Sequence, residues 1–271
     1  MIALDLDGTC LNSAGDVSER TAKAIETAAE QGIHVVISTG RDYSSLPPAM
    51  KDVKGIEYAI TSNGAHVNVM EGGEAIYSDY LHPDAVVEIA RLKRETGAEI
   101  EVFIKGHAYA DRSYYEEVRD FGSPYRRADY ILWSREPVEN VTELMLEHKD
   151  EIENVNFVYK TLEALEEARP KIYEMKNAKL TSSFPNNIEV GGPDTSKKTA
   201  LIWLMDKLGI KKEELMCCGD APNDIEMIEL AAVGVAVANA WGGTKDHADY
   251  ITESNDDDGV AKAIELFALK Q

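Results

Sequence analysis

Ile2-Ala3-Leu4-Asp5-Leu6-Asp7-Gly8-Thr9 is the stretch on which the reading of this chain turns. Its first residues form an apolar run of the kind that makes a buried strand, and the Asp7-Gly8 pair ends it. Asp5 and Asp7 are two residues apart, so on an extended chain both carboxylates lie on one side. They fall at the C-terminal end of the strand, where α/β sheets bind ligands. Gly8 then lets the backbone turn tightly beside that ligand. A strand running into an Asp-Gly turn would give the same pentapeptide, Asp5-Leu6-Asp7-Gly8-Thr9, without any chemistry, so the neighbouring segments must decide.

Working outward, residues 18–31 read as a helix with Ser18 as N-cap and Gly32 as its stop. His34-Val-Val-Ile-Ser-Thr39 reads as a buried strand closed by Gly40, residues 58–62 as a strand before Asn63-Gly64, and Glu71-Gly72-Gly73 as the turn of a hairpin. After Gly191-Gly192-Pro193 the alternation resumes: helix 198–208, strand 215–218, helix 223–230, strand 233–237 and a last helix at 260–269. Between these stretches the pattern is less regular, with helices expected at 83–96, 137–150 and 162–169 and strands at 99–104 and 155–159. The expected fold is α/β: a Rossmann-like, doubly wound parallel-sheet core, discontinuous over 1–81 and 187–271, with an inserted α/β cap at 82–186. There is no internal repeat and no low-complexity segment.

The 271 residues suffice for a large core, and 44% hydrophobic with 28% charged residues is a globular balance. Asp plus Glu number 49 against 28 Lys plus Arg, a net charge of −21, which opposes broad contact with nucleic acid or an anionic membrane. A small anionic ligand remains open, because a few local cations outweigh a distant field that salt screens over ~8 Å. Cys10, Cys217 and Cys218 lack C-x-x-C spacing and read as reduced thiols, and the six His residues show no paired metal spacing. The chain enters a strand at once without a basic leader, and its longest uncharged stretch, 230–244, is too short for the ~30 Å of a bilayer. A soluble, cytoplasmic protein is expected. Its oligomeric state is not legible.

Three further segments join the first. Thr39-Gly40-Arg41 closes a strand with a hydroxyl and a flexible backbone suited to a phosphoryl oxygen. Lys197 offers a point positive charge before a helix. Gly219-Asp220-Ala221-Pro222-Asn223-Asp224 follows another strand, with Asp220 and Asp224 four apart. Such oxygen ligands fit Mg²⁺, which takes one or two carboxylates with waters and substrate oxygens.

Together these segments resemble the four motifs of the haloacid dehalogenase superfamily, and more closely its Cof-type sugar-phosphatase branch, subfamily IIB. The resemblance covers nearly the whole chain. It includes Thr61-Ser62-Asn63-Gly64-Ala65, the Asn239-Ala240 pair, and the segment from Thr252 through Asn255 to Gly259-Val260. It implies Asp5 as nucleophile, Asp7 as general acid/base, and Thr39, Gly40 and Lys197 as phosphate binders, with Asn223 also contacting phosphate. Mg²⁺ would be held by Asp5, the backbone carbonyl of Asp7, and Asp220, while Asp224 would reach the metal through water or orient Lys197. An acid at position 7 sets phosphatases and phosphomutases apart from the ion-pumping ATPases of the superfamily. The implied enzyme is a phosphoric monoester hydrolase acting on a small phosphorylated metabolite, such as a sugar phosphate.

The physics agrees: four carboxylates converging on one cleft repel one another unless a divalent cation and Lys197 offset them. Two departures stand out. Lys198 occupies a position where the family commonly has Gly, so a shifted register would make Lys198 the phosphate binder, and Cys10 replaces a usual Leu and reads as a small packing residue. Arg41 reads as an ion-pair partner within its loop rather than a substrate contact. Asp256-Asp257-Asp258 reads as a helix N-terminal cluster. The aromatic-rich stretch 103–115 is a candidate lining of the cleft under a closing cap. Competing functions are a phosphomutase with the same site and a non-catalytic phosphometabolite sensor. A dinucleotide-dependent oxidoreductase is disfavoured, since no G-x-G-x-x-G follows the first strand.

Overall fold

The computed structural model describes residues 1–269. Lys270 and Gln271, the end of the expected core segment, lie outside the described residues. The chain forms two compact units. The first comprises Met1–Arg41, Leu46–Tyr77 and the chain from Ser196 onward; the second comprises Asp42–Ser45 and Ser78–Thr195.

In chain order the first unit opens with β1 (Ile2–Leu4), α1 (Glu19–Glu30), β2 (Val35–Ser38), α2 (Pro48–Lys51), β3 (Ile56–Thr61), β4 (His66–Val69) and β5 (Ala75–Ser78). Ser18 caps α1, its side chain accepting from the Thr21 N–H. The second unit follows with α3 (Pro83–Thr96), β6 (Glu99–Ile104), β7 (His107–Asp111), α4 (Arg112–Phe121), α5 (Ala128–Ser134) and β8 (Arg135–Val138). It closes with α6 (Val141–Glu147), β9 (Ile152–Val158), α7 (Leu162–Ile172), β10 (Lys179–Thr181) and β11 (Asn187–Gly191). The chain returns to the first unit for α8 (Lys197–Leu208), β12 (Met216–Gly219), α9 (Ile225–Leu230), β13 (Val233–Ala236), β14 (Tyr250–Ile251) and α10 (Gly259–Phe267).

The first sheet runs β14-β13-β12-β1-β2-β3-β4-β5. Its strands from β14 to β3 are parallel, and β4 is antiparallel to β3. Ile2, Ala3 and Leu4 pair with Met216, Cys217 and Cys218 on one side and with Val35, Val36 and Ile37 on the other. The chain therefore builds outward from β1 in one direction and later in the other, which makes the carboxyl end of β1 a topological switch point. Ala3, Val36 and Ile60 pack with Leu201, Leu204 and Met205 of α8 in one buried cluster.

The second unit holds a six-stranded sheet, β10-β11-β9-β6-β7-β8. One face is apolar: Ile100, Val102, Val155, Phe157, Ile188 and Val190 bury against Val86, Ile89, Leu165 and Met145 of the helices. Here the structure differs from the sequence reading. The expected segment borders at 81/82 and 186/187 become 77/78 and 195/196, because β11 pairs antiparallel with β9 and so belongs to the second sheet. The expected helix at 137–150 is strand β8 followed by the shorter α6, whose cap is Asn140 accepting from the Glu143 N–H. The expected last helix at 260–269 spans Gly259–Phe267.

Candidate active site

β1 delivers Asp5 to the switch point. The Asp5 N–H donates to the Cys218 carbonyl at 3.0 Å, and the Cys10 N–H returns to the Asp5 carbonyl at 3.3 Å, so the backbone on both sides of this carboxylate is tied to the sheet end. Gly8 has φ +77°, and a Cβ there would lie 2.6 Å from Asp220 Oδ2. Only glycine meets both demands. Asn239 Nδ2 donates to the Gly8 carbonyl at 2.7 Å, and Asn255 donates its N–H to Asn239 Oδ1 at 3.0 Å and its Nδ2 to the Leu11 carbonyl at 2.8 Å. These two asparagines hold the loop after β1.

Lys197 is the first residue of α8, with Ser196 as N-cap accepting from the Thr199 N–H; Lys198 beside it is half-buried. The Lys197 ammonium is fully buried and lies 2.7 Å from Asp5 Oδ1 and 2.6 Å from Asp224 Oδ1. Asp224 Oδ2 accepts the N–H groups of Asp220 at 2.9 Å and Ala221 at 3.1 Å. Both oxygens of Asp224 are therefore engaged, which suits it to orienting Lys197 and the turn at 220–221. Asp220 Oδ1 accepts from the Thr9 hydroxyl at 3.1 Å.

Ligand atoms of Asp5, Asp220 and Asp224 all lie within 4.8 Å of one another, and all three residues are buried. Burial, reinforced by Asp224, pushes the Asp5 carboxyl up from 3.8 to about 7 although Lys197 opposes the shift. Asp220 is pushed well above the carboxylate range by burial and then by Asp5 and Asp224. For Lys197 burial disfavours the charge, but Asp224 and Asp5 outweigh it and raise the ammonium above its usual value. Three acids against one cation leave an uncompensated negative excess of hard oxygen ligands, which fits a divalent cation such as Mg²⁺.

The Asp7 carboxylate stands apart from that trio. Arg41 grips it in a bidentate pair, Nε to Oδ2 and Nη2 to Oδ1, both at 2.7 Å. The guanidinium is buried and the carboxylate is part-exposed. Thr39, buried after β2, accepts the Arg41 N–H on its hydroxyl at 3.2 Å. Asn223 Nδ2 donates to Asn63 Oδ1 at 2.9 Å. Asp5, Asp7, Thr39, Gly40, Lys197, Asp220, Asn223 and Asp224 thus all belong to the first unit, at strand ends or helix starts.

The remaining sequence readings concern residues outside this group. Cys10, Cys217 and Cys218 are buried and free, with burial raising each thiol, so they are unreactive packing groups. Asp256 accepts from Ser13 and Asp258 from Ser18, tying the loop before α10 to the start of the chain. Within the stretch 103–115, Phe103, Ala108, Ala110 and Tyr114 are buried. Asn63, Asn239 and Asn255 are site-supporting residues for which local pattern gave no role, and Arg41, expected as an ion-pair partner within its own loop, pairs instead with Asp7. Their partners lie far away in sequence, and for the three asparagines only the resemblance drew attention to the segments that hold them.

An acidic, lysine-bearing site at the switch point of a doubly wound sheet is suited to an anionic ligand held together with a divalent cation. Residues 2–264 match the haloacid dehalogenase-like hydrolases. The chain is 33% identical over 275 residues to the 5-amino-6-(5-phospho-D-ribitylamino)uracil phosphatase YcsE of Bacillus subtilis (strain 168), covering 99% of this chain and 96% of that protein. It is 31% identical to the phosphatase YwpJ of the same organism, covering 96% and 97%. Among solved structures, a haloacid dehalogenase-like hydrolase from B. subtilis superposes with TM-score 0.83 at 28% identity over 98% of this chain and 99% of that one. The subclass IIB sugar phosphatase BT4131 superposes with TM-score 0.82 at 26% identity over 98% of each chain. The chain belongs to the haloacid dehalogenase-like hydrolase family, in its Cof-type phosphatase branch, and is a phosphoric monoester hydrolase. No helix among the described residues is long and apolar enough to cross a membrane.

Proposed function

We propose that this chain is a Mg²⁺-dependent phosphatase that hydrolyses a small phosphorylated metabolite, a sugar phosphate in the simplest case, through an aspartyl-phosphate on Asp5, and that it works in the cytoplasm. The observation that carries this reading is the buried trio Asp5, Asp220 and Asp224 against the single ammonium of Lys197. The names of the matched relatives, a sugar phosphatase and a phosphatase of 5-amino-6-(5-phospho-D-ribitylamino)uracil, support the substrate class.

Mg²⁺ would be held by Asp5, the Asp7 carbonyl and Asp220, and when bound it offsets the negative charge of the acids and the phosphoryl group. Lys197, together with Thr39 and Gly40, orients the phosphoryl oxygens, and Asn223 also contacts them. Ionised Asp5 then attacks phosphorus in line, its Oδ–P bond forming as the P–O bond to the leaving group breaks. Asp7 gives a proton to the departing alkoxide and afterwards takes one from the water that cleaves the Asp5–phosphoryl bond, releasing inorganic phosphate. Asp224 acts by holding Lys197 against Asp5. The second unit carries none of these residues and is assigned the choice of leaving group.

The test is phosphate release over a panel of phosphorylated sugars, nucleotides and cofactors, with Mg²⁺ and again after dialysis into excess chelator. Release that needs the metal and favours small substrates is expected. Silence across the whole panel, or full activity in chelator, would overturn the proposal.

A further inference from the structure

Thr61-Ser62-Asn63-Gly64-Ala65 has no role in the chemistry above, yet its backbone is unusual. Ser62, Asn63 and Gly64 are three consecutive residues at positive φ, +50°, +57° and +101°. Left-handed backbone is unfavourable for residues with a Cβ, Asn tolerating it best, and such strain persists where the surroundings over-determine it.

The surroundings here are three of the four motif segments. The Asn63 N–H donates to the Thr39 carbonyl at 3.1 Å, and the Ser62 N–H to the Arg41 carbonyl at 2.8 Å. Gly64 lies flat against the start of α8, where a Cβ would come within 2.1 Å of the Ser196 carbonyl oxygen and 3.0 Å of the Lys197 nitrogen. Asn63 is itself buried. Its Oδ1 accepts from Asn223 Nδ2 at 2.9 Å and would be 3.2 Å from a Cβ at Gly40. The Asn223 Oδ1 is buried and makes no hydrogen bond among the described residues. The bond to Asn63 takes one of the two Nδ2 hydrogens and fixes the plane of the Asn223 amide, so the second Nδ2–H is the donor it offers to a phosphoryl oxygen, which can only accept, while the buried Oδ1 calls for a donor such as water.

We propose that Asn63 is a positioning residue of the phosphoryl site, which fixes the orientation of the Asn223 amide and braces the Thr39-Gly40-Arg41 turn. It acts on phosphoryl affinity through those groups and carries out no step of the transfer. The inference rests on the phosphatase reading. It adds a fifth segment to the machinery, one that joins the ends of β2 and β3 to the starts of α8 and α9.

The decisive variant is N63G, since glycine adopts the left-handed backbone freely and only the amide is lost. The expected result is a rise in KM, and in the dissociation constant of inorganic phosphate measured by calorimetry with Mg²⁺, of about 5-fold to 10-fold, the worth of one hydrogen bond of this kind. kcat should change by no more than about 2-fold, because transition-state and ground-state binding weaken together. In an N223A background, N63G should add nothing further to either constant. The N63A variant keeps a Cβ at positive φ and should lower the melting temperature below that of N63G. Unchanged KM and phosphate affinity in N63G, with or without a lower melting temperature, would overturn the proposal, as would effects of N63G and N223A that multiply. Wild-type protein that binds no inorganic phosphate at all would instead remove the phosphatase reading beneath it.

Discussion

Each unit buries a cluster of ionisable side chains, and the charge balance around Asp5 is opposite to that around Glu101. In the first unit three carboxylates, Asp5, Asp220 and Asp224, share one ammonium. In the second, the carboxylate of Glu101 faces two guanidiniums: Arg126 reaches it at 2.6 and 2.9 Å and Arg135 at 3.0 Å, with Asn156 Nδ2 adding a bond at 3.1 Å. Arg135 also stacks over Phe103 and Tyr130 and Arg126 over Phe184, their centroids 5.1 to 5.7 Å away. The proton affinities follow the balance. Burial raises the Glu101 carboxyl, but Arg126 and Arg135 outweigh it and hold the group well below the usual range, whereas Asp5 is pushed up to about 7. The Glu101 carboxylate is compensated by groups of its own unit, although Arg126 Nε, Arg135 Nε and Asn156 Oδ1 beside it are buried without a hydrogen-bond partner among the described residues. An under-compensated cluster is suited to a cation and a charged ligand from outside the chain, which is the chemistry proposed for the acids of the first unit.

The largest effect that breaks this contrast is expected at Asp5. D5N keeps the shape of the side chain without a nucleophilic oxygen, so phosphate release should fall below detection while the melting temperature holds or rises, because one buried negative charge is gone. The opposite outcome is expected for Glu101: E101Q leaves two buried guanidiniums without a counter-charge and should cost about 3–5 kcal/mol of stability, read from denaturant unfolding. If D5N unfolds the protein and E101Q is neutral, the two clusters have been assigned the wrong way round.

Arg41 offers a smaller effect. Its bidentate grip on Asp7 sets where the candidate acid stands, so R41Q should slow turnover of alkyl phosphates by about 10-fold, less than the 10²–10⁴ (roughly) that a general acid contributes. With p-nitrophenyl phosphate, whose leaving group needs little protonation, the same variant should lose little. Equal losses on both substrates would mean that Arg41 does not act through Asp7.

A milder effect is a pH dependence of stability in the metal-free protein. The Asp5 carboxyl binds its proton more tightly folded than unfolded, so its contribution is fully present below the ordinary value of 3.8 and is lost as pH rises through about 7. The melting temperature without metal should therefore fall across that window relative to D5N, in which the titrating group is absent. Mg²⁺ should restore stability most at the upper end, where the carboxylates are ionised. Parallel melting curves for wild type and D5N across the window would contradict the assignment.

The two clusters also differ in how much of them the sequence betrays. Asp5 and Asp7 are legible because strand alternation and an Asp-Gly turn mark them locally, and because the C-terminal ends of parallel strands are where ligands bind. Lys197 and Asp220 become legible only through the order of the motif segments, since nothing near them in sequence fixes their partners. Glu101, Asn154, Asn156 and Glu189 are all but fully buried, yet they alternate with apolar residues on β6, β9 and β11 and so resemble the wet face of a half-exposed sheet. α4 and α5 escaped notice for a related reason: only Tyr114 and Val118 of α4 and Ile131 and Ser134 of α5 are buried, too sparse an apolar set to set a helical period. The Arg41–Asp7 and Asn63–Asn223 pairs join residues 34 and 160 positions apart, a distance over which local pattern carries no signal.

The central claim, that the under-compensated acids serve covalent phosphoryl transfer, is tested most directly by acid-quenching the enzyme during turnover with Mg²⁺ and mapping the protein by mass spectrometry. A peptide containing Asp5 that carries the added mass of one phosphoryl group, absent in D5N and discharged by longer incubation before the quench, is the predicted result. Steady release of phosphate with no labelled peptide, or with the label on any residue other than Asp5, would contradict the account.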